Sequence, residues 1–202
     1  MILPDGYCDV PSGKIATVVT SLEMTACAPL RPDPPAEAGF GLKRIQRPDL
    51  AWFRALFRLV GENYLWFSRL RMADDRLTAE LLDPRMETYV LSRHGEDLGL
   101  LQLDFRGQGL GELSFFGVAD ALIGTGAGRW LMNRALERAW SLPIRRFWVH
   151  TCTLDHPAAL HFYLRSGFSA FRRQVEVMDD PRILGLLPRH AAPQIPLIER
   201  LD

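Results

Sequence analysis

No apolar run in this chain approaches the roughly 20 residues needed to cross a bilayer. The N-terminus also lacks the basic-then-apolar order of a secretory leader, so the expected compartment is the cytoplasm. Cysteine is scarce. Cys8, Cys27 and Cys152 are odd in number and far apart. They make neither a disulfide framework nor a metal cluster, which fits a reducing environment and a chemistry without metal. Excess charge is missing too: acidic and basic residues number 24 each. That balance removes the electrostatic footprint of a nucleic-acid or membrane-surface binder. Lysine is confined to Lys14 and Lys43, and the other cations are all arginine. The Gly-Lys-Ser/Thr of a phosphate loop is absent, as is any internal repeat.

What the chain does have is organised around Glu112–Arg129, E-L-S-F-F-G-V-A-D-A-L-I-G-T-G-A-G-R. It opens as a strand, with Glu112, Ser114, Phe116 and Val118 on one face and Leu113 and Phe115 on the other. It closes as a helix, because Leu131, Met132, Ala135, Leu136, Ala139 and Trp140 recur at helical spacing. Gly124, Gly126 and Gly128 lie between. A strand, a glycine loop and a helix start aim unpartnered backbone N–H groups at an anion. A dinucleotide fingerprint would need its third glycine one residue later. Alone, the loop is equally compatible with a tight turn that holds no ligand.

At 202 residues the chain can form one domain with an extra arm. Lys14–Met24 is rich in β-branched residues and reads as a strand. Ala28–Gly39 carries four prolines and reads as an extended linker. Residues 1–39 are therefore expected to form an N-terminal arm whose strand adds to an edge of the main sheet or reaches a partner chain, as in a homodimer. Residues 40–202 form the main domain. Phe40–Ile45 is a strand, and Pro48 and Asp49 open a helix with a buried stripe of Trp52, Phe53, Leu56, Phe57 and Val60. Asn63–Met72 is dense in aromatics, most of them expected to fill core; the alternative is an acceptor-binding wall. A helix capped by Asp74 runs to Leu82. The strands Glu87–Ser92 and Leu98–Phe105 lead to the Glu112 strand. The helix and the strand Arg146–Thr153 after it make a right-handed parallel crossover. Pro157 opens a last helix and Gly167 closes it. The proline-rich end shows no clear final strand.

Two segments carry a resemblance. G-T-G-A-G-R resembles the pyrophosphate loop of the GNAT superfamily of acetyl-CoA-dependent N-acetyltransferases, Gln/Arg-x-x-Gly-x-Gly/Ala. Gly126 and Gly128 match, and Ile123 stands where the family has Gln or Arg. Asp155–Phe168 resembles that family's Asn-x-x-Ala-x-x-x-Tyr-x-x-x-Gly-Phe. Ala159, Tyr163, Gly167 and Phe168 match, and His156 stands where Asn is usual. With element order, the resemblance extends over Phe40–Met178 and leaves out the arm and the tail. It implies an α/β (α+β) fold: a mixed, mainly antiparallel sheet with helices on both faces and one parallel crossover at the cofactor site. It also implies acetyl-CoA as acyl donor, held by Ile123, Gly124, Thr125, Gly126, Ala127, Gly128 and Arg129, by Phe116, Gly117 and Val118, and by Asp155, His156, Ala159, Phe162 and Tyr163.

Transfer to a small-molecule or peptide amine needs a base, because an alkylamine with a pKa of roughly 10.4 is almost fully protonated near neutrality. Glu112 is the candidate, with Asp104 second; otherwise Glu112 is an exposed charge near a strand end. Phe116–Gly117–Val118 is where a bulge would free backbone N–H groups for an oxyanion. Tyr163 would protonate the departing thiolate; otherwise it packs on the sheet. His150 shares a strand face with Trp148 and Cys152 and reads as a buried structural histidine. The competing class is a non-catalytic acyl-CoA-binding or regulatory domain, which has no need of both Glu112 and Tyr163.

Overall fold

The computed structural model describes residues 5–199; the ends of both expected segments, residues 1–4 and 200–202, lie outside the described residues. Seven strands form one sheet: β1 (Lys14–Met24), β2 (Phe40–Arg44), β3 (Met86–Arg93), β4 (Glu96–Asp104), β5 (Leu110–Val118), β6 (Arg146–Cys152) and β7 (Ser169–Asp179). The helices are α1 (Leu50–Gly61), α2 (Ser68–Arg71), α3 (Asp74–Leu82), α4 (Ala127–Trp140) and α5 (Ala159–Arg165). The strand order is β2-β3-β4-β5-β6-β1-β7, antiparallel except for the β5–β6 pair. None of the described helices is long and apolar enough to cross a membrane.

Helices cover both faces. On one, Leu131, Met132, Ala135, Leu136 and Ala139 of α4 pack against Leu101, Leu103, Leu113, Phe147 and Val149. On the other, Phe53, Leu56, Phe57 and Val60 of α1 pack with Leu77 and Leu81 of α3 against Val90 and Leu100. Asp49 starts α1 by accepting the Trp52 amide at 2.9 Å, which satisfies one of the free amides of the first turn. Gly61 is the last residue of α1 and also makes room for a ring: a Cβ there would lie 2.5 Å from Trp66. Asp74 opens α3 as its first residue rather than capping it.

Two long-range placements differ from expectation, and the tail adds a third feature. First, β1 does not add to an edge. It pairs with β6 over Val19–Met24 and with β7 over Lys14–Glu23, so it is an interior strand. Leu22 and Met24 are buried, and Thr17 Oγ1 lies 2.9 Å from Thr153 Oγ1. Second, a final strand exists: β7, the outer strand beyond β1. Its first nine residues are exposed, so it lacks the buried apolar alternation that marks a strand in sequence. Third, the tail folds back. Arg182 and Asp180 form a buried ion pair at 2.7 Å, and Arg182 also donates to the carbonyls of Ala191 (3.1 Å) and Ile195 (2.9 Å). Leu187, Ala191 and Ala192 thereby pack against Ile15, Leu65 and Leu154.

Candidate functional site

The sheet opens in its middle. β5 pairs with β6 only where Leu110, Gly111 and Glu112 meet Arg146, Phe147 and Trp148. Beyond Glu112 the two strands part. The register between β4 and β5 shifts at the same place: Leu113 opposes Leu103 and Phe115 opposes Gln102, which leaves Ser114 as the extra residue of a bulge. The interruption expected at Phe116–Gly117–Val118 therefore falls earlier. Gly117 is regularly paired with Leu100, and its missing side chain is needed for packing, because a Cβ would sit 2.4 Å from Val60 Cγ1.

The bulge also re-sorts the faces. Phe115 packs beneath α1 with Phe57 and Trp66, and the guanidinium of Arg69 lies 5.2 Å from its ring centre. Leu113 and Phe116 both pack on the α4–α5 side, where Phe116 meets Phe162 at 5.5 Å and Tyr163 at 6.3 Å. Strict alternation from Glu112 would have put Leu113 with Phe115 and Phe116 with Glu112. The extra residue reverses both pairings.

A cavity of about 1050 Å³ runs through the opening. All the residues expected to hold the donor line it except Ala127, the fully buried first residue of α4. One end is the glycine loop. Gly124 (φ 80°) and Gly126 (φ 90°) occupy the left-handed region, where a side chain is strained. The amide of Trp130 is bonded to the Gly126 carbonyl, whereas those of Gly128 and Arg129 have no backbone acceptor among the described residues. With the positive end of the α4 dipole beside them, these amides are available to an anion. Ile123 is exposed there, and its amide is used in the turn, bonding to Asp120 O at 3.0 Å.

The middle of the cavity holds Tyr163. Its ring is packed by Phe116, Phe162 and Phe168. Burial, and then the nearby Asp155 carboxylate, push the phenol above its ordinary range, so it stays a proton donor. Asp155 itself accepts from Trp66 Nε1 (3.1 Å), Thr151 Oγ1 (2.7 Å) and the Cys152 amide (2.9 Å), which ties the aromatic segment to the end of β6. His156 precedes α5, outside the helix that carries Tyr163. Its Nδ1 accepts the Ala158 amide at 3.1 Å, and its ring packs on Tyr64.

The far end carries Glu112. Burial and the facing Asp104 raise its pKa, against the lowering pull of Arg106 and Arg69. Asp104 is a weaker base candidate because Arg106 holds it, with its Nη2 2.6 Å from Asp104 Oδ2. Arg69 is itself paired with Glu80 and bonded to Gln102 at 3.3 Å. Tyr64, Trp66, Phe67 and Ser68 line the cavity, Tyr64 against His156 and Trp66 against Asp155, while Leu65 is buried, so the aromatic stretch supplies both wall and core. The tail supports that stretch: Gln194 Nε2 donates to Asn63 O at 3.2 Å.

His150 is not the buried structural histidine that its strand position suggests. It is exposed and lines the cavity, because Val149 turns inward to the α4 core and leaves its neighbour on the open face. Only the position of the parting strands reveals this.

An opened mixed sheet, a glycine loop at a helix start on one side and a carboxylate on the other define an acyltransferase architecture. The model of the acetyltransferase (GNAT) family matches residues 52–168, more than half of the sequence. The chain belongs to that family. No curated protein matches its sequence. Solved structures share the fold at low identity. One is an IAA acetyltransferase from Bacillus cereus ATCC 14579 (22% identity, 66% of this chain and 79% of that one, TM-score 0.52). Another is the aminoglycoside acetyltransferase meta-AAC0020 from an uncultured soil metagenomic sample, in complex with trehalose (18%, 66% and 90%, TM-score 0.53). A functionally unknown conserved protein from Staphylococcus epidermidis ATCC 12228 aligns at 13% identity and TM-score 0.53, covering 83% of this chain; the chain spans only 63% of that protein's length.

Proposed function

We propose that this protein transfers the acetyl group of acetyl-CoA to a primary amine of a small molecule or peptide, by direct attack with both substrates bound and without metal, in the cytoplasm. The observation that carries the reading is the single cavity joining the free amides of the glycine loop to Glu112 through the parted β5 and β6. The amides of Gly128 and Arg129, with the Arg129 side chain, fit the pyrophosphate. The exposed backbone edge of β5 after Ser114 fits the amide-bearing arm. Glu112 takes the proton of the attacking amine as the C–N bond forms, directly or through water. Backbone N–H groups at the bulge stabilise the oxyanion. Tyr163 gives its hydroxyl proton to the sulfur as the C–S bond breaks. His150, on the open wall, is a second group able to take the amine proton.

The test is a screen of amine acceptors, including amino acids, polyamines, aminoglycosides and peptide N-termini, with detection of released CoA thiol. Acceptor-dependent thiol release is expected. Binding of acetyl-CoA with no release for any amine would favour the acyl-CoA-binding domain instead. In thermal melts acetyl-CoA should stabilise the protein by mass action. Equal stabilisation by NADH or ATP, with none by CoA, would sink the assignment.

Gly126→Glu is expected to weaken CoA binding at least about tenfold, because the variant strains a left-handed position and puts a carboxylate at the anion site. Titration calorimetry checks it, and wild-type affinity would move the phosphate site elsewhere.

Glu112→Gln is expected to depress turnover most at neutral pH and below. At alkaline pH the amine loses its proton unaided and the two enzymes converge. The acid limb of the wild-type profile should lie above the ordinary carboxylate range, because the Glu112 pKa is raised. The stability sign follows. With the folded-state pKa above the unfolded one, the folded form binds the extra proton between the two values, and stability falls as pH rises through that window. Glu112→Gln should therefore melt higher than wild type at pH 7 and lose that advantage below the unfolded carboxylate range. Parallel kinetics and melts over pH check both; a variant as active as wild type at pH 7 assigns the proton to His150 or solvent.

A further inference from the structure

Five arginines line the cavity near its two ends, and they differ in pairing. At the carboxylate end, Arg69 is paired with Glu80 and Arg106 with Asp104. At the glycine-loop end, Arg31, Arg129 and Arg165 form no ion pair among the described residues. Free positive charge is thus gathered at one end. Arg129 follows the glycines on α4, and Arg165 ends α5. Arg31 comes from the proline segment, outside the residues matched by the family model.

That segment is a strap with defined attachments. At its start Ala28 sits on the α5 C-terminal turn, where a Cβ on Gly167 would lie 2.3 Å from Ala28 Cβ. In its middle, the buried Asn133 of α4 donates to Arg31 O at 2.7 Å and to Asp33 Oδ1 at 2.6 Å. Arg134 adds an ion pair to Asp33 at 3.0 Å. At its end Pro34 lies against the glycine loop, 3.4 Å from where a Gly126 Cβ would be. The strap therefore spans from α5 to the N-terminus of α4. The Arg31 backbone is fixed by Asn133 while its guanidinium is left unpaired in the cavity wall. Prolines restrict the strap before any ligand binds, so little ordering is lost on contact.

We infer that Arg31 binds the 3′-phosphate on the ribose of CoA and makes the protein discriminate CoA from its 3′-dephospho form. The inference rests on the proposed acetyl-CoA reading. The free amides and Arg129 account for the pyrophosphate. A third, dianionic phosphate on the same nucleotide is stabilised by a further cation at the same end, and a guanidinium offers it a bidentate charge-assisted contact. Asp33, the nearest acid on the strap, does not compete because Asn133 and Arg134 hold it.

The test compares the dissociation constants of CoA and 3′-dephospho-CoA by titration calorimetry, for the full-length wild type, Arg31→Gln and Arg31→Lys. Wild type should prefer CoA about tenfold, the scale of one charged hydrogen-bonded contact. Arg31→Gln should bring the ratio to about one with dephospho-CoA affinity unchanged, which shows that the pocket is intact. Arg31→Lys should keep part of the preference. A wild-type ratio near one, or a preference that survives in Arg31→Gln, overturns the role of Arg31 and leaves the acetyl-CoA reading standing. Failure of either nucleotide to bind wild type overturns that reading, and this inference with it.

Discussion

Truncating the chain before Phe40 is expected to leave no cooperatively folded protein. β1 lies between β6 and β7, so its loss removes both of its ladders and strands β7 without a partner. The core of α4 and the sheet loses Leu22 and Met24, and the cluster under the tail loses Ile15. The backbone groups of β6 on that side would lose their partners. A point variant probes the same role more gently. Leu22 is fully buried, and Leu22→Ala should cost about 2–5 kcal/mol for the lost contacts and the cavity left behind. Urea and thermal melts followed by circular dichroism check both. A truncated protein with a sigmoidal transition near the wild-type midpoint would mean that β7 can pair with β6 directly and that residues 1–39 are a dispensable arm.

Tyr163→Phe should lower turnover about a hundredfold or more while acetyl-CoA affinity barely changes. The ring is held by Phe116, Phe162 and Phe168, and phenylalanine keeps all three contacts. Only the proton donor goes. General acid catalysis is worth roughly two or more powers of ten, or about 3 kcal/mol of barrier. Burial and Asp155 hold the hydroxyl protonated above its ordinary range, so wild-type turnover should show no alkaline fall from this group below pH about 10. Steady-state kinetics on the acceptor found by the amine screen, with a thermal melt of the variant, separate chemistry from packing. Wild-type turnover would return Tyr163 to the core and leave the thiolate to depart unaided. A fall in turnover matched by a lowered melting temperature would instead charge the loss to structure.

Local features can be read from the residues alone. The glycine loop was legible because three contiguous features coincide: a strand, glycines at left-handed positions and an amphipathic helix. The parallel β5–α4–β6 unit followed from chain handedness and length. The two motifs named the family because each is a short run whose backbone shape depends on its own residues. The remaining features depend on contacts between distant parts of the chain. That β1 is interior depends on pairs such as Val19 with Cys152, which no local pattern encodes. That β7 exists at all depends on β1, since an exposed outer strand has no buried face to signal itself. The bulge at Ser114 arises from the match between β4 and β5, and it sets which wall Glu112, Phe115 and Phe116 occupy. The exposure of His150 and the free guanidinium of Arg31 follow from where the sheet parts and where the strap crosses. A side chain's direction in a strand is fixed by register, and register is fixed by its partner strands, so these placements could be read only once the strands had met.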